Sequence, residues 1–287
     1  MMLMTRRVAF SAALADWNEA LTPEENRARY GNTASPEPYG HNYLLDVQVA
    51  GEIDPKTGML INIKELDRIV RAEAIAHLDR KFINQSVADF HNRAVTPESL
   101  AEWIAGKVAP RLPESIALAS VRIEESPERF AEWRNETSGK KEIRRDGKSM
   151  LLTHVYEFAA SHRLDSPHLT AEENREVFGK CNYDNGHGHN YLVEVTISGP
   201  VNTDSGRVLD PDVLDEIVNR EVISRYDHRH FNFDIAEFKG LIPSAEVITR
   251  VIWDRLREQF PAPARLARVV VRETARNIFE YAGEEEN

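Results

Sequence analysis

The chain has 287 residues, a formal net charge of −11 at pH 7 and a single cysteine. That length suits two domains of ordinary size, and 41% hydrophobic residues are enough to build a core in each. The negative balance lacks the basic footprint of a nucleic-acid binder, no apolar run reaches membrane-spanning length, and a lone cysteine cannot form an intrachain disulfide.

At the N-terminus, Arg6-Arg7 followed by Val8-Ala-Phe-Ser-Ala-Ala-Leu-Ala15 has the outline of a short secretion signal. An internal repeat argues for a different reading. Setting residue i against residue i+148 aligns Leu21–Gly31 with Leu169–Gly179, seven identities in eleven, and Tyr39-Gly-His-Asn-Tyr43 with His187-Gly-His-Asn-Tyr191. The same offset pairs Gly58 with Gly206, Asp79 with Asp227, Asn84 with Asn232, Glu98 with Glu246 and Glu125 with Glu273. A period this long means tandem domains, since solenoid repeats are a few tens of residues. Val8–Leu14 then fall on Tyr156–His162. The segment is therefore expected to be the first strand of the first domain, and the protein cytoplasmic.

Each copy reads strand, long loop, strand, helix, helix, strand, strand. In the second copy an apolar run of strand type, Leu151–Ala159, leads to His162, and His189–Ile197 alternates as a strand should. Val213–Val222 has helical spacing after Asp210-Pro211, with proline well placed at a helix start. A second helix fits Ser244–Gln259 with Ser244 as its cap, and Leu266–Arg272 and Asn277–Tyr281 read as closing strands. The expected class is α+β: two tandem domains, 1–133 and 150–287, each an antiparallel four-stranded sheet with two helices on one face. The charged stretch 134–149, almost without apolar residues, is the expected linker.

The chemistry concentrates in the second copy. His162, Cys181, His187 and His189 lie within thirty positions. His187 and His189 are two apart, so on a strand both imidazoles share one face, and Gly188 between them would leave room for a ligand. His162 could arrive beside them from a neighbouring strand. An isolated His-x-His is ordinarily a polar strand edge; the company of His162 and Cys181 is what points to metal. Three imidazoles without a fourth protein ligand describe a catalytic zinc (Zn2+) site, whose open position takes water or substrate. Under the offset His162 becomes Leu14, Cys181 becomes Thr33, His187 becomes Tyr39 and His228 becomes Arg80, so the first copy is expected to be degenerate and metal-free.

Phe158-Ala-Ala-Ser-His162-Arg-Leu164, Phe178-Gly-Lys-Cys181, His187-Gly-His189-Asn-Tyr191, Tyr226-Asp227-His228-Arg-His-Phe-Asn232, Ser244-Ala-Glu246 and Val271-Arg-Glu273-Thr274 together resemble the 6-pyruvoyltetrahydropterin synthase family, including its 6-carboxytetrahydropterin synthase relatives. The five residues between Cys181 and His187 and the Glu-Glu-Asn segment resemble the pyruvoyl-forming branch; Ser244 and Val247 depart from the family's usual threonine and asparagine. Charge and hydropathy lead to no expected nucleic-acid or membrane partner; the resemblance implies the tunnelling fold (T-fold) and conversion of 7,8-dihydroneopterin triphosphate with loss of triphosphate. It assigns His162, His187 and His189 to zinc, Cys181 to the base, Asp227 and His228 to activating it, and Glu273 to the pterin, with Ser244 and Glu246 in the substrate site. Three chains are expected to form a pseudo-hexamer, with like copies sharing a barrel. A carboxyl product, a zinc cyclohydrolase, and a pterin binder without turnover remain the alternatives.

Overall fold

The computed structural model describes residues 1–135 and 148–284. The first copy runs β1 (Met2–Leu14), α1 (Pro23–Tyr30), β2 (Tyr39–Gly51), α2 (Ile63–Val70), α3 (Pro97–Val108), β3 (Ala117–Ser126) and β4 (Arg129–Asn135). The second runs β5 (Lys148–His162), α4 (Ala171–Phe178), β6 (His187–Gly199), α5 (Pro211–Val218), β7 (Arg229–His230), α6 (Ala245–Leu256), β8 (Arg265–Arg272) and β9 (Ile278–Tyr281). Of the expected linker, Arg134 and Asn135 close β4 and Lys148 and Ser149 open β5; the residues between lie outside the described ones. No helix is long and apolar enough to cross a membrane among the described residues.

Each copy has the expected α+β, T-fold order, with one addition. The long loop holds a helix, α1 or α4, and the strongest identities of the repeat explain why. Thr22 accepts the Glu25 amide while Glu25 accepts the Thr22 amide, and Thr170 and Glu173 form the same capping box. Asn26 and Asn174, buried behind these caps, each bond four backbone groups and tie the helix to the loop before it. The Glu-Glu-Asn segment is thus helix-forming in both copies.

Aromatic stacking fixes β1 on β2 and β5 on β6. Phe10 stacks on Tyr43 at 4.9 Å and Phe158, at the matching position, on Tyr191 at 5.1 Å. The helices α2 and α5 each continue through a widened π-helical stretch, Arg71–Ile75 and Asn219–Ile223. Both end at an aspartate followed by a residue in the left-handed region, Arg80 or His228, each at φ 56°.

Two compact units emerge among the described residues: 1–135 and 148–153 with 198–212, and 154–197 with 213–284. In the first, the sheet runs β1-β2-β3-β4 and then β5, whose residues through Thr153 belong to this unit, and α3 lies against β3 and β4. In the second, the order is β5-β6-β8-β9, with β7 paired to β5 in parallel and α6 against β8 and β9.

The first unit also takes in the loop 198–212 of the second copy. Arg207 is buried there: Nη2 donates to Asp16 Oδ2 at 3.1 Å and Thr33 Oγ1 at 2.9 Å, and Nη1 to the Tyr30 carbonyl at 3.2 Å. Glu98 Oε1 accepts the Val208 amide at 3.1 Å. A buried guanidinium needs its carboxylate, so Asp16→Ala should cost about 3–5 kcal/mol in urea unfolding. The double change Asp16→Leu with Arg207→Met, which installs the residues found at the matching positions Leu164 and Met59, should recover most of that loss.

Candidate metal centre and active site

His162 ends β5 and His187 opens β6, so strand pairing brings the first imidazole against the face carrying His187 and His189. The Nε2 atoms of His162 and His187 are 3.1 Å apart, and one ligand atom from each of the three rings lies within 4.8 Å of the others. This is the one such cluster among the described residues. His162 is 1% exposed, and its Nδ1 donates to the Pro243 carbonyl at 2.7 Å, which leaves the Nε2 lone pair facing the cluster.

The residues present fit a metal. His187 Nδ1 and His189 Nε2 are buried without hydrogen-bond partners. Burial holds His162 and His189 below the usual histidine range, so both rings are neutral at pH 7 and available as ligands. His162, His187 and His189 would hold the ion.

Two glycines make this approach possible. Gly186 has φ +68°, and a Cβ there would stand 2.5 Å from the His162 carbonyl. At Gly188 a Cβ would sit 3.2 Å from the Ala160 carbonyl. Gly188 thus lets β6 lie close to β5, and it also lines the open hollow beside His189.

Glu273 follows β8 and stands beside the histidines. Its Oε1 lies 3.7 Å from His162 Nε2 and 3.8 Å from His189 Nε2, while Asn277 Nδ2 donates to Oε2 at 3.2 Å. The first copy keeps the same pair, with His41 Nε2 at 4.0 Å from Glu125 Oε2.

Cys181 lies in the 3₁₀ turn Gly179–Asn182 after α4 and is half-buried. Burial pushes its thiol up, and the negative charge of Glu273 pushes in the same direction.

Asp227 and His228 form a unit of their own. The left-handed turn at His228 lets both side chains meet, with Nδ1 2.9 Å from Asp227 Oδ2. Asp227 Oδ1 accepts the Ala159 amide at 2.9 Å. That hydrogen bond, then the one from His228, holds the Asp227 carboxyl below its ordinary range. The His228 side chain is 83% exposed, and among the described residues no hydrogen bond or ion pair joins it to Cys181. It lines an open hollow with His189, His230 and Asp234.

Ser244 caps α6, its hydroxyl accepting the Val247 amide, and Glu246 is exposed in the first turn. The Pro243 carbonyl and Gly186 carry geometry that sequence reasoning missed. Gly186 immediately before His187-Gly-His189 was the available signal for one of them.

The family model described as 6-pyruvoyl tetrahydropterin synthase matches residues 4–136 and again 152–284. The chain belongs to this family. The 6-pyruvoyl tetrahydrobiopterin synthase of Drosophila melanogaster is 42% identical over 132 residues, 46% of this chain and 79% of that protein. The Homo sapiens protein of the same name is 39% identical over 127 residues, covering 44% and 87%. The solved structure of Caenorhabditis elegans 6-pyruvoyl tetrahydropterin synthase aligns at TM-score 0.46 and 37% identity, over 47% of this chain and 96% of that one.

If the three histidines hold one ion, zinc analysis of the purified chain should return about one zinc per chain, with almost none in His189→Ala. Two zincs per chain, or unchanged content in the variant, would contradict the assignment. A dication at the cluster also offsets the field of Glu273 on Cys181. Zinc loading should therefore accelerate alkylation of Cys181 by iodoacetamide at pH 8, where the thiolate fraction limits the rate; in the metal-free chain the rate should keep climbing above the ordinary thiol range.

Proposed function

We propose that this lyase-family chain converts 7,8-dihydroneopterin triphosphate to 6-pyruvoyltetrahydropterin with release of triphosphate, using zinc held by His162, His187 and His189. The observation that carries the reading is the convergence of three imidazoles with Glu273 at 3.7 and 3.8 Å from two of them, in the copy that also retains Cys181. Zinc bound there would supply Lewis-acid stabilisation of negative charge on a substrate oxygen.

The chain's own residues do the rest. The Glu273 carboxylate accepts hydrogen bonds from the amino-pyrimidine edge, a bidentate match that selects for rings with two adjacent donors. Cys181 removes the proton on the side-chain carbon beside the reacting oxygen, and triphosphate leaves with its electron pair. A thiol serves as base only where its thiolate is favoured, and in the metal-free chain burial and Glu273 work against that. The assigned counterweight is His228: Asp227 fixes its Nδ1 and leaves Nε2 to take the thiol proton. Since His228 points outward, we assign this transfer to the assembled protein.

Zinc-loaded chain incubated with 7,8-dihydroneopterin triphosphate should yield the pyruvoyl product by mass and intact triphosphate by phosphorus NMR. A carboxyl product would move the chain to the other branch of the family. Formate or single phosphates would indicate a cyclohydrolase, and binding without product a pterin carrier. Cys181→Ala should lower turnover about 10²–10⁴-fold with zinc retained; wild-type rates in that variant would remove Cys181 from the mechanism.

A further inference from the structure

Away from the positions of the histidine cluster, the first copy carries a hollow that charged side chains occupy in the second. The backbone frame is the same in both. Asn84 Oδ1 accepts the Ala15 amide at 2.9 Å and Nδ2 donates to the Ala15 carbonyl at 3.1 Å, while Asn232 makes the same two bonds to Arg163 at 2.8 and 2.9 Å. The side chains on that frame differ. In the second copy the Arg163 guanidinium reaches Asp165 and Asp184, each at 3.3 Å through Nη2. At the matching positions the first copy has Ala15, Trp17 and Pro36. The guanidinium and both carboxylates are gone together, and Pro38 and Phe82 stand where the second copy has Gly186 and His230.

What remains in the first copy is a hollow of about 560 Å³ walled by Trp17, Pro36, Pro38 and Phe82. That volume is in the range of small-molecule sites. Among the described residues neither the Trp17 nor the Phe82 ring packs against another aromatic ring, unlike Phe10 and Tyr43 in the same copy. The Trp17 indole N–H has no hydrogen-bond partner there either, whereas that of Trp103 donates to Asp89 at 2.7 Å.

Gln85 and Asn92 also line the hollow, and neither side chain makes a hydrogen bond among the described residues. Asn92 holds a left-handed backbone at φ 57°, where the second copy has Gly240 at φ 84°. Glycine suits such a turn without a side chain; asparagine tolerates it and adds a carboxamide to the wall. Glu19 brings a carboxylate that has no ion pair among the described residues, and no lysine or arginine stands among the lining residues.

We propose that the first copy binds, in this hollow, a planar nitrogen heterocycle that bears amino or lactam groups and no phosphate. Flat apolar walls select a flat ring, which gains from offset stacking on aromatic faces. Each carboxamide presents donors beside an acceptor, the complement of an amino-lactam edge. A carboxylate without a neighbouring cation favours an amino group and repels phosphate. The site uses no metal ligand and no residue of the reacting centre, so it stands apart from the proposed reaction. It gives the copy without the histidine cluster a binding role of its own.

The chain has four tryptophans, so indole nitrogen-15 resonances report on the site directly, with that of Trp17 assigned from Trp17→Phe. Adenosine, guanosine and cytidine are titrated separately into the chain, with no metal or lyase substrate added. At least one should shift the Trp17 resonance saturably, with half-saturation below about 1 mM, while the other indoles stay in place. The 5′-triphosphate of the nucleoside that binds should need at least about fivefold more ligand. Ala15→Arg with Pro36→Asp rebuilds the ion pair of the second copy and keeps the Trp17 reporter; half-saturation should rise at least about tenfold. Gln85→Ala, an exposed change, should weaken binding about fivefold by removing one hydrogen bond, and it replaces the double variant if the other indoles show that variant unfolded. No saturable shift with any of the nucleosides, a triphosphate bound as tightly as its nucleoside, or unchanged binding in the folded variants would overturn the proposal.

Discussion

The second copy is organised around one close approach, three imidazoles held with one nitrogen of each within 4.8 Å of the others. The Nε2 atoms of His162 and His187 are 3.1 Å apart, and the Pro243 carbonyl fixes the proton of His162 on its far nitrogen. The surrounding structure enforces this. Gly186 keeps the turn into β6 tight enough to touch the His162 backbone, and the Phe158–Tyr191 stack holds β5 against β6 just below. Burial keeps His162 and His189 neutral, so mutual repulsion between charged rings is avoided and their free nitrogens stay available to a shared cation. Rigid positioning of ligand groups is how a fold prepares a metal site: folding supplies the energy that assembles the ligands in advance.

The first copy replaces that constraint with a different one. Tyr39 and Thr33, at the positions of His187 and Cys181, both donate to Asp16 Oδ2, and Arg207 neutralises it. A buried ion pair with two further donors takes the place that the imidazole cluster and Cys181 have in the second copy. Removing histidines alone would have left a polar hollow between β1 and β2. The added carboxylate and guanidinium fill it, at the cost of making the pair interdependent. The persistence of Glu125 beside His41 fits this picture. Its carboxyl is pushed up by burial, and Arg129, then more weakly Arg207, counter that rise only in part.

Much of this was legible in the sequence because it depends on period and identity. The 148-residue offset located every strand of the first copy from its partner in the second, and the two-residue spacing of His187 and His189 gave the shared face directly. Other features depend on where loops go, which periodicity does not encode. Nothing in Ser205-Gly-Arg207-Val marks Arg207 as a residue that completes the other copy. The positions of Thr33 and Asp16 would have revealed it only once the loop was placed. The helices α1 and α4 were available in principle, since Thr22-x-x-Glu25 and Thr170-x-x-Glu173 are capping boxes; they were hidden because the segment has little apolar periodicity to signal a helix. The outward turn of His228 comes from its left-handed backbone, a conformation rarely assigned to histidine from sequence. The closeness of Glu273 to the histidines arises from the short β8–β9 connection, which holds its side chain with Asn277 at the metal side of the sheet.

The claim on which the account turns is that the histidines, and not the cysteine, hold the metal. X-ray absorption at the zinc edge of the loaded chain measures this directly. The account predicts three imidazole nitrogens and one further light-atom ligand at about 2.0–2.1 Å. A sulfur scatterer at about 2.3 Å would place Cys181 on the metal, and the division between ligands and base drawn here would be wrong.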